Sequence, residues 1–150
     1  MHPSRAFAWA DEAAMRAFAQ RAAFARVFAM SPEGPRVAHV PVLVDEDGGL
    51  RFHLANGNAL TPHLAGARIL ILWEGPNAYL SANWYADVRG AVPTWNYVAV
   101  EAEGLATPIS RDERIALVDA LADQLEPTVG EDWTRAKMEP ARFEALIGAI

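Results

Sequence analysis

Between Gly75 and Gly104 the sequence concentrates Tyr79, Trp84, Tyr85, Trp95 and Tyr97, and sets Ser81, Asn83, Thr94 and Asn96 among them. Ring faces beside hydroxyls and amides are what a planar ligand with a polar rim requires, because the faces stack on its plane and the polar groups bond its edge. The same residue types also suit the plug of a barrel end or the seam between two subunits. Composition alone leaves these readings open. His2, His39, His53 and His63 lack metal-ligand spacing. His39 and His53 fall on consecutive predicted strands, but no third ligand accompanies them, so hydrogen-bonded or surface histidines are expected and no metal. There is no Gly-rich phosphate loop, no His-Glu-x-x-His and no nucleophile elbow. The absence of cysteine excludes disulfides, thiolate catalysis, zinc ribbons and iron–sulfur ligation. No catalytic acid or base is assigned.

The elements that must hold these residues are legible from pattern. Asp11 or its predecessor opens a helix whose apolar positions Ala14, Met15, Phe18 and Ala22 follow one face and which ends near Ala23 or Phe24. Three strands follow, Phe24–Met30, Arg36–Val44 and Leu50–Ala55, parted by the turn residues Ser31–Pro35 and Asp45–Gly49. Asn56-Gly57 is compatible with a hairpin. Thr61-Pro62 as N-cap and first helical residue, with Gly66 as the stop, favours a short helix instead. Ala67–Trp73 reads as a strand buried on both faces, Glu74–Asn77 as a turn and Ala78–Ser81 as a brief strand. Ala82–Gly90 is irregular, and a long alternating strand occupies Val98–Ile109. Ser110 with Glu113 forms a capping box for a helix over Arg111–Leu125, stopped by Glu126-Pro127. A last helix starts near Pro140. Five to seven antiparallel strands with helices before and after predict an α+β domain on a small barrel, one domain over residues 1–150.

The chain has 150 residues, about half of them apolar, and a formal charge of −6. Its arginines are scattered singly and Lys137 is the lone lysine, so direct DNA binding is not expected. No apolar run reaches the roughly 18–20 residues of a membrane helix, and no signal peptide is read. A soluble, cytoplasmic protein is expected.

Gly75-Pro76-Asn77-Ala78-Tyr79-Leu80-Ser81-Ala82-Asn83-Trp84-Tyr85, followed by Val92-Pro93-Thr94-Trp95-Asn96-Tyr97-Val98-Ala99-Val100, resembles the double signature of the PaiB-type family of FMN-binding negative transcriptional regulators, a split-β-barrel family. Ala38–Leu43 and His53–Asn58 resemble two further segments of that family. The resemblance implies an antiparallel split barrel of the FMN-binding type with flanking helices. It implies a homodimer with the flavin ring at the subunit interface, and flavin contacts at or near His53, Asn58, Tyr79, Ser81, Trp84, Thr94, Trp95 and Asn96. Asn56 stands where the family has an arginine, Ala59 and Ala82 where it has prolines, and the basic K-L-S-Q-N segment of the family is not within these residues. A neutral amide cannot replace a guanidinium fork on a phosphate, so FMN is expected with a weakened phosphate grip. The flavin would carry any redox step, which leaves a flavin-dependent oxidoreductase and a non-catalytic regulatory module as readings of different class. A split barrel holding another planar ligand, such as heme on His39, His53 or His63, is a third.

Overall fold

The structure, a computed structural model, describes residues 4–150; His2 lies outside them. Helix α1 (Glu12–Ala22) starts where Asp11 accepts the Ala14 N–H at 2.9 Å, a cap that also places negative charge at the helix N-terminus. Ala23 turns the chain at φ 50° into strand β1 (Phe24–Ser31). Strands β2 (Gly34–Val44) and β3 (Leu50–Phe52) follow through tight turns. The long strands β4 (Arg68–Leu80) and β5 (Thr94–Leu105) complete a five-stranded antiparallel sheet in the order β3-β2-β1-β4-β5. Helix α2 (Arg111–Leu125) begins with the expected Ser110–Glu113 capping box, and α3 (Pro140–Ile147) closes the described chain. The architecture is the expected α+β split barrel with helices on either side in sequence.

Strand alternation explains the core. Ala25, Val27 and Ala29 of β1, Ala38, Val40 and Val42 of β2, and Ile69, Ile71 and Trp73 of β4 point to one side. There Met15, Phe18 and Ala22 of α1 and the buried Leu60 cover them. On the opposite side Leu43 packs beneath Leu117 and Leu121 of α2. The rest of that outer face stays open, with Phe24, Met30 and Val37 exposed.

Four expectations are corrected. Strand β3 stops at Phe52 rather than Ala55, because the next residues satisfy their backbone locally. Asn58 Oδ1 accepts the Leu60 N–H at 2.9 Å, and the Thr61 hydroxyl donates to Ala55 O at 2.8 Å. Thr61 is therefore not an N-cap; it lies inside a 3-10 turn, Thr61–His63, preceded by Leu60. Only one side of the Ala67–Trp73 segment is fully buried, since Leu70 and Leu72 are partly exposed. Finally, Glu74–Asn77 is no turn. The register runs from Glu74↔Ala99 to Asn77↔Tyr97, so Gly75 and Pro76 oppose Val98 alone in a bulge and the strand continues.

Gly75 is what lets the strand bend there. A Cβ on it would stand 2.9 Å from the Phe18 ring and 3.2 Å from Val98 Cβ. Gly75→Ala is expected to lower stability by about 1–3 kcal/mol through overpacking. Gly104→Ala, where a Cβ meets nothing within 4 Å, should be near neutral, and urea denaturation of the two variants checks the contrast.

Candidate functional site

Beyond the bulge, β4 and β5 leave the rest of the sheet. The β1–β4 pairing ends at Arg26↔Leu72, whereas the β4–β5 ladder runs on through Asn77↔Tyr97, Ala78↔Asn96, Tyr79↔Trp95 and Leu80↔Thr94. The result is a two-stranded arm. Cross-strand partners share a face, so Asn77, Tyr79, Trp95 and Tyr97 line one side of the arm, and Ala78, Leu80, Thr94 and Asn96 the other.

On the first side the Tyr79 and Trp95 rings lie 6.1 Å apart at 57°, and Trp95 Nε1 donates to Asn77 Oδ1 at 3.1 Å. That bond fixes one indole edge and leaves its face free. Trp95 and Tyr97 are each 57% exposed, Tyr79 52% and Trp84 72%, values far from those of core aromatics. A hollow of about 340 Å³ runs along this side between Glu74, Asn77, Trp95 and Tyr97. On the other side Thr94 joins Tyr85, Asp87 and Val92 around a hollow of about 480 Å³.

The tip between the strands is ordered by its own side chains. Ser81 Oγ accepts the Asn83 N–H at 3.2 Å and caps the turn Ala82–Trp84. Asp87 Oδ1 accepts the Arg89 N–H at 3.0 Å and caps Val88–Gly90. These short polar caps hold an exposed loop in one shape without a core beneath it.

The remaining sequence candidates sit elsewhere. His53, Asn56 and Asn58 occupy the segment after β3, and β2 and β1 stand between β3 and the arm's β4 in the sheet. His53 is half-buried, and that burial holds its imidazole pKa below the ordinary 6.5. The amides of the two asparagines are engaged within the chain. Asn58 holds the Leu60 N–H, and Asn56 Nδ2 donates to Gly148 O at 2.9 Å while its backbone N–H donates to Ala149 O at 2.8 Å. Asn56 thus caps the end of α3. The single chain therefore brings Tyr79 and Trp95 together, places Thr94 and Asn96 on the arm's reverse and Ser81 and Trp84 at its tip, while His53, Asn56 and Asn58 follow β3 at the other end of the strand order.

Asn77, which orients Trp95, is a site residue that sequence reasoning missed. Its two-residue spacing from Tyr79 was a usable signal, hidden by reading Glu74–Asn77 as a turn. His39 stacks on Phe24 at 6.4 Å. Among the described residues no group of three His, Asp or Glu is placed to hold a metal ion.

A bulged sheet carrying an aromatic, polar-edged arm is the framework of a flavin-binding split barrel, and comparison with known proteins agrees. Residues 1–150 match the family described as "Putative FMN-binding domain", and the chain belongs to that family. It is 33% identical over 137 residues to the protease synthase and sporulation protein PAI 2 of Bacillus subtilis, covering 89% of this chain and 65% of that protein. The flavocytochrome Anf3 of Azotobacter vinelandii has a similar fold, with a TM-score of 0.70 at 17% identity over 96% of this chain and 65% of that one. The FAD and heme binding protein of Mycobacterium smegmatis gives a TM-score of 0.63 at 16% identity over 94% of this chain and 63% of that one. The chain thus spans just under two thirds of the length of each. Among the described residues no helix is long and apolar enough to cross a membrane.

The His53 environment predicts a pH dependence. Because the folded-state pKa lies below 6.5, the unfolded chain binds the proton more readily, so stability is full above the unfolded value and falls as pH drops through the folded one. Urea midpoints between pH 7.5 and 5 should decline, and His53→Gln should flatten that decline.

Proposed function

We propose that this protein binds a flavin at a site shared between two copies of the chain, the exposed arm of one subunit supplying the stacking surface and the segment after β3 of the other supplying polar contacts. The observation that carries this reading is the aromatic side of the arm. Tyr79, Trp95 and Tyr97 project from a hydrogen-bonded two-stranded ribbon, one indole is held at its edge by Asn77, and the rings are largely exposed. Desolvating such a surface on a planar heterocycle is favourable. The hollows flanking the arm, about 340 and 480 Å³, lie within the ordinary range for small-molecule sites.

Two further facts support the shared site. The candidates that the family resemblance assigns to one ligand lie on opposite edges of the sheet in a single chain, and a two-fold partner is the simplest way to bring such edges together. The open outer face, with Phe24, Met30 and Val37 exposed, is an apolar patch that a second copy would cover.

The phosphate grip is the weak point of the FMN reading. Asn56 is neutral and one N–H of its amide is committed to Gly148 O beside α3, so it offers a phosphate no charge and no guanidinium-like fork. Relatives in fold include a protein described as binding FAD and heme, which keeps heme as a second planar ligand to test. Any regulatory role would act through ligand or protein contacts, since the charge of −6 opposes direct contact with DNA phosphates.

Titrating the purified protein with riboflavin and with FMN should quench flavin fluorescence with saturation, and Trp95→Ala should weaken that binding about tenfold or more. Absence of quenching by either flavin contradicts the proposal, and a Soret band on adding hemin in its place would favour heme.

A further inference from the structure

We propose that Asn77 is the specificity-determining donor on the aromatic side of the arm, its Nδ2 group pairing with a carbonyl on the rim of the bound ring; this rests on the flavin reading above and names the edge chemistry that the site selects. Its place comes from the bulge. Glu74 and Asn77 are three residues apart and would face opposite ways in a regular strand. Because Gly75 and Pro76 together oppose Val98, Glu74↔Ala99 is followed by Asn77↔Tyr97, and both side chains fall on the side of Tyr97 and Trp95. Glu74, Asn77, Trp95 and Tyr97 all line the hollow of about 340 Å³ on that side.

Chemistry decides which end of the amide is offered. An indole N–H donates and cannot accept, so the 3.1 Å bond from Trp95 Nε1 holds Oδ1 and leaves the two N–H groups of Nδ2 as the open end. Among the described residues Nδ2 has no acceptor. The other polar side chains of the hollow do not duplicate it. Trp95 Nε1 is spent on Asn77, and Glu74 is an acceptor paired with Arg26. The Tyr97 hydroxyl serves in either sense. A ring stacked along Trp95 and Tyr97 displaces water from Nδ2, and a rim without an acceptor there leaves its donors unpaired. A site built this way rejects the analogue that lacks the bonding group. The ligand class is a planar heterocycle with carbonyl oxygens along one edge, as at the pyrimidinedione end of a flavin. Asn77 acts in binding and orientation; no chemical step is assigned to it.

The test reads riboflavin affinity, and the carbonyl stretching bands of bound riboflavin by infrared difference, in the unaltered protein and in two variants. Asn77→Asp keeps an acceptor for Trp95 Nε1 and removes both donors. Trp95→Phe keeps a ring face and removes the N–H that holds the amide. In Asn77→Asp affinity should fall about threefold to tenfold, the loss of one neutral hydrogen bond. A carbonyl band should rise in frequency as its donor is lost, and Trp95→Phe should move the same band in the same direction. Bands that stay put in either variant, or riboflavin affinity unaltered in Asn77→Asp, overturn the role of Asn77 and leave the flavin reading standing. Failure of riboflavin to bind the unaltered protein overturns the two together.

Discussion

The β4–β5 ladder outruns every neighbour it has. β1 supports β4 only as far as Leu72, yet the two long strands stay paired to Leu80 and Thr94. The pairing can continue only because Gly75 and Pro76 absorb the bend, Gly75 by offering no Cβ to Phe18 and Val98, and Pro76 at a position where no ladder donor is needed. Trp73, 1% exposed, anchors the last core position before the bulge. Among the described residues its indole N–H meets no acceptor, so the anchor rests on the large apolar area it buries. From this one constraint follow the arm, the exposure of its rings and the division of the candidate residues between its two sides.

The second half of the candidate site depends on a different set of bonds. Asn56, Arg114 and the Arg111–Glu144 ion pair tie the end of α3 to α2 and to the segment after β3. That segment is thereby tied down, with one amide N–H of Asn56 and the Oδ1 of Asn58 engaged within the chain. The aromatic side of the arm, by contrast, stays exposed, with Trp95 and Tyr97 each 57% exposed. Two partial sites on opposite sheet edges are what the shared-site proposal joins.

Much of this was legible in sequence, and the misses have physical causes. Asp11 and the Ser110–Glu113 box announced α1 and α2 because capping is local chemistry. Strands β1 and β2 declared themselves by alternation between turn residues. The Gly75–Tyr85 and Val92–Val100 segments carried the family, which the match over residues 1–150 bears out. What sequence could not give was the bulge, since Glu74-Gly75-Pro76-Asn77 has the composition of a turn and only its pairing with β5 tells otherwise. The same error hid Asn77. Nor could spacing tell that Tyr79 and Trp95 share a side while Thr94 and Asn96 face away, because that depends on register across the hairpin. Asn56 read as a change in charge; its bond to Gly148, far away in sequence, is a tertiary fact.

The central claim is that ligand contacts come from the arm of one copy and the segment after β3 of another, and complementation between defective chains tests it most directly. Trp95→Ala damages only the arm and His53→Ala only the other element, so each variant alone should bind flavin poorly. Mixed after dissociation and reassociation, they should regain binding at about a quarter of the sites, because half of the random dimers are mixed and each of those holds one intact site of two. Binding that stays at the level of the separate variants, or variants that bind normally on their own, would contradict the account.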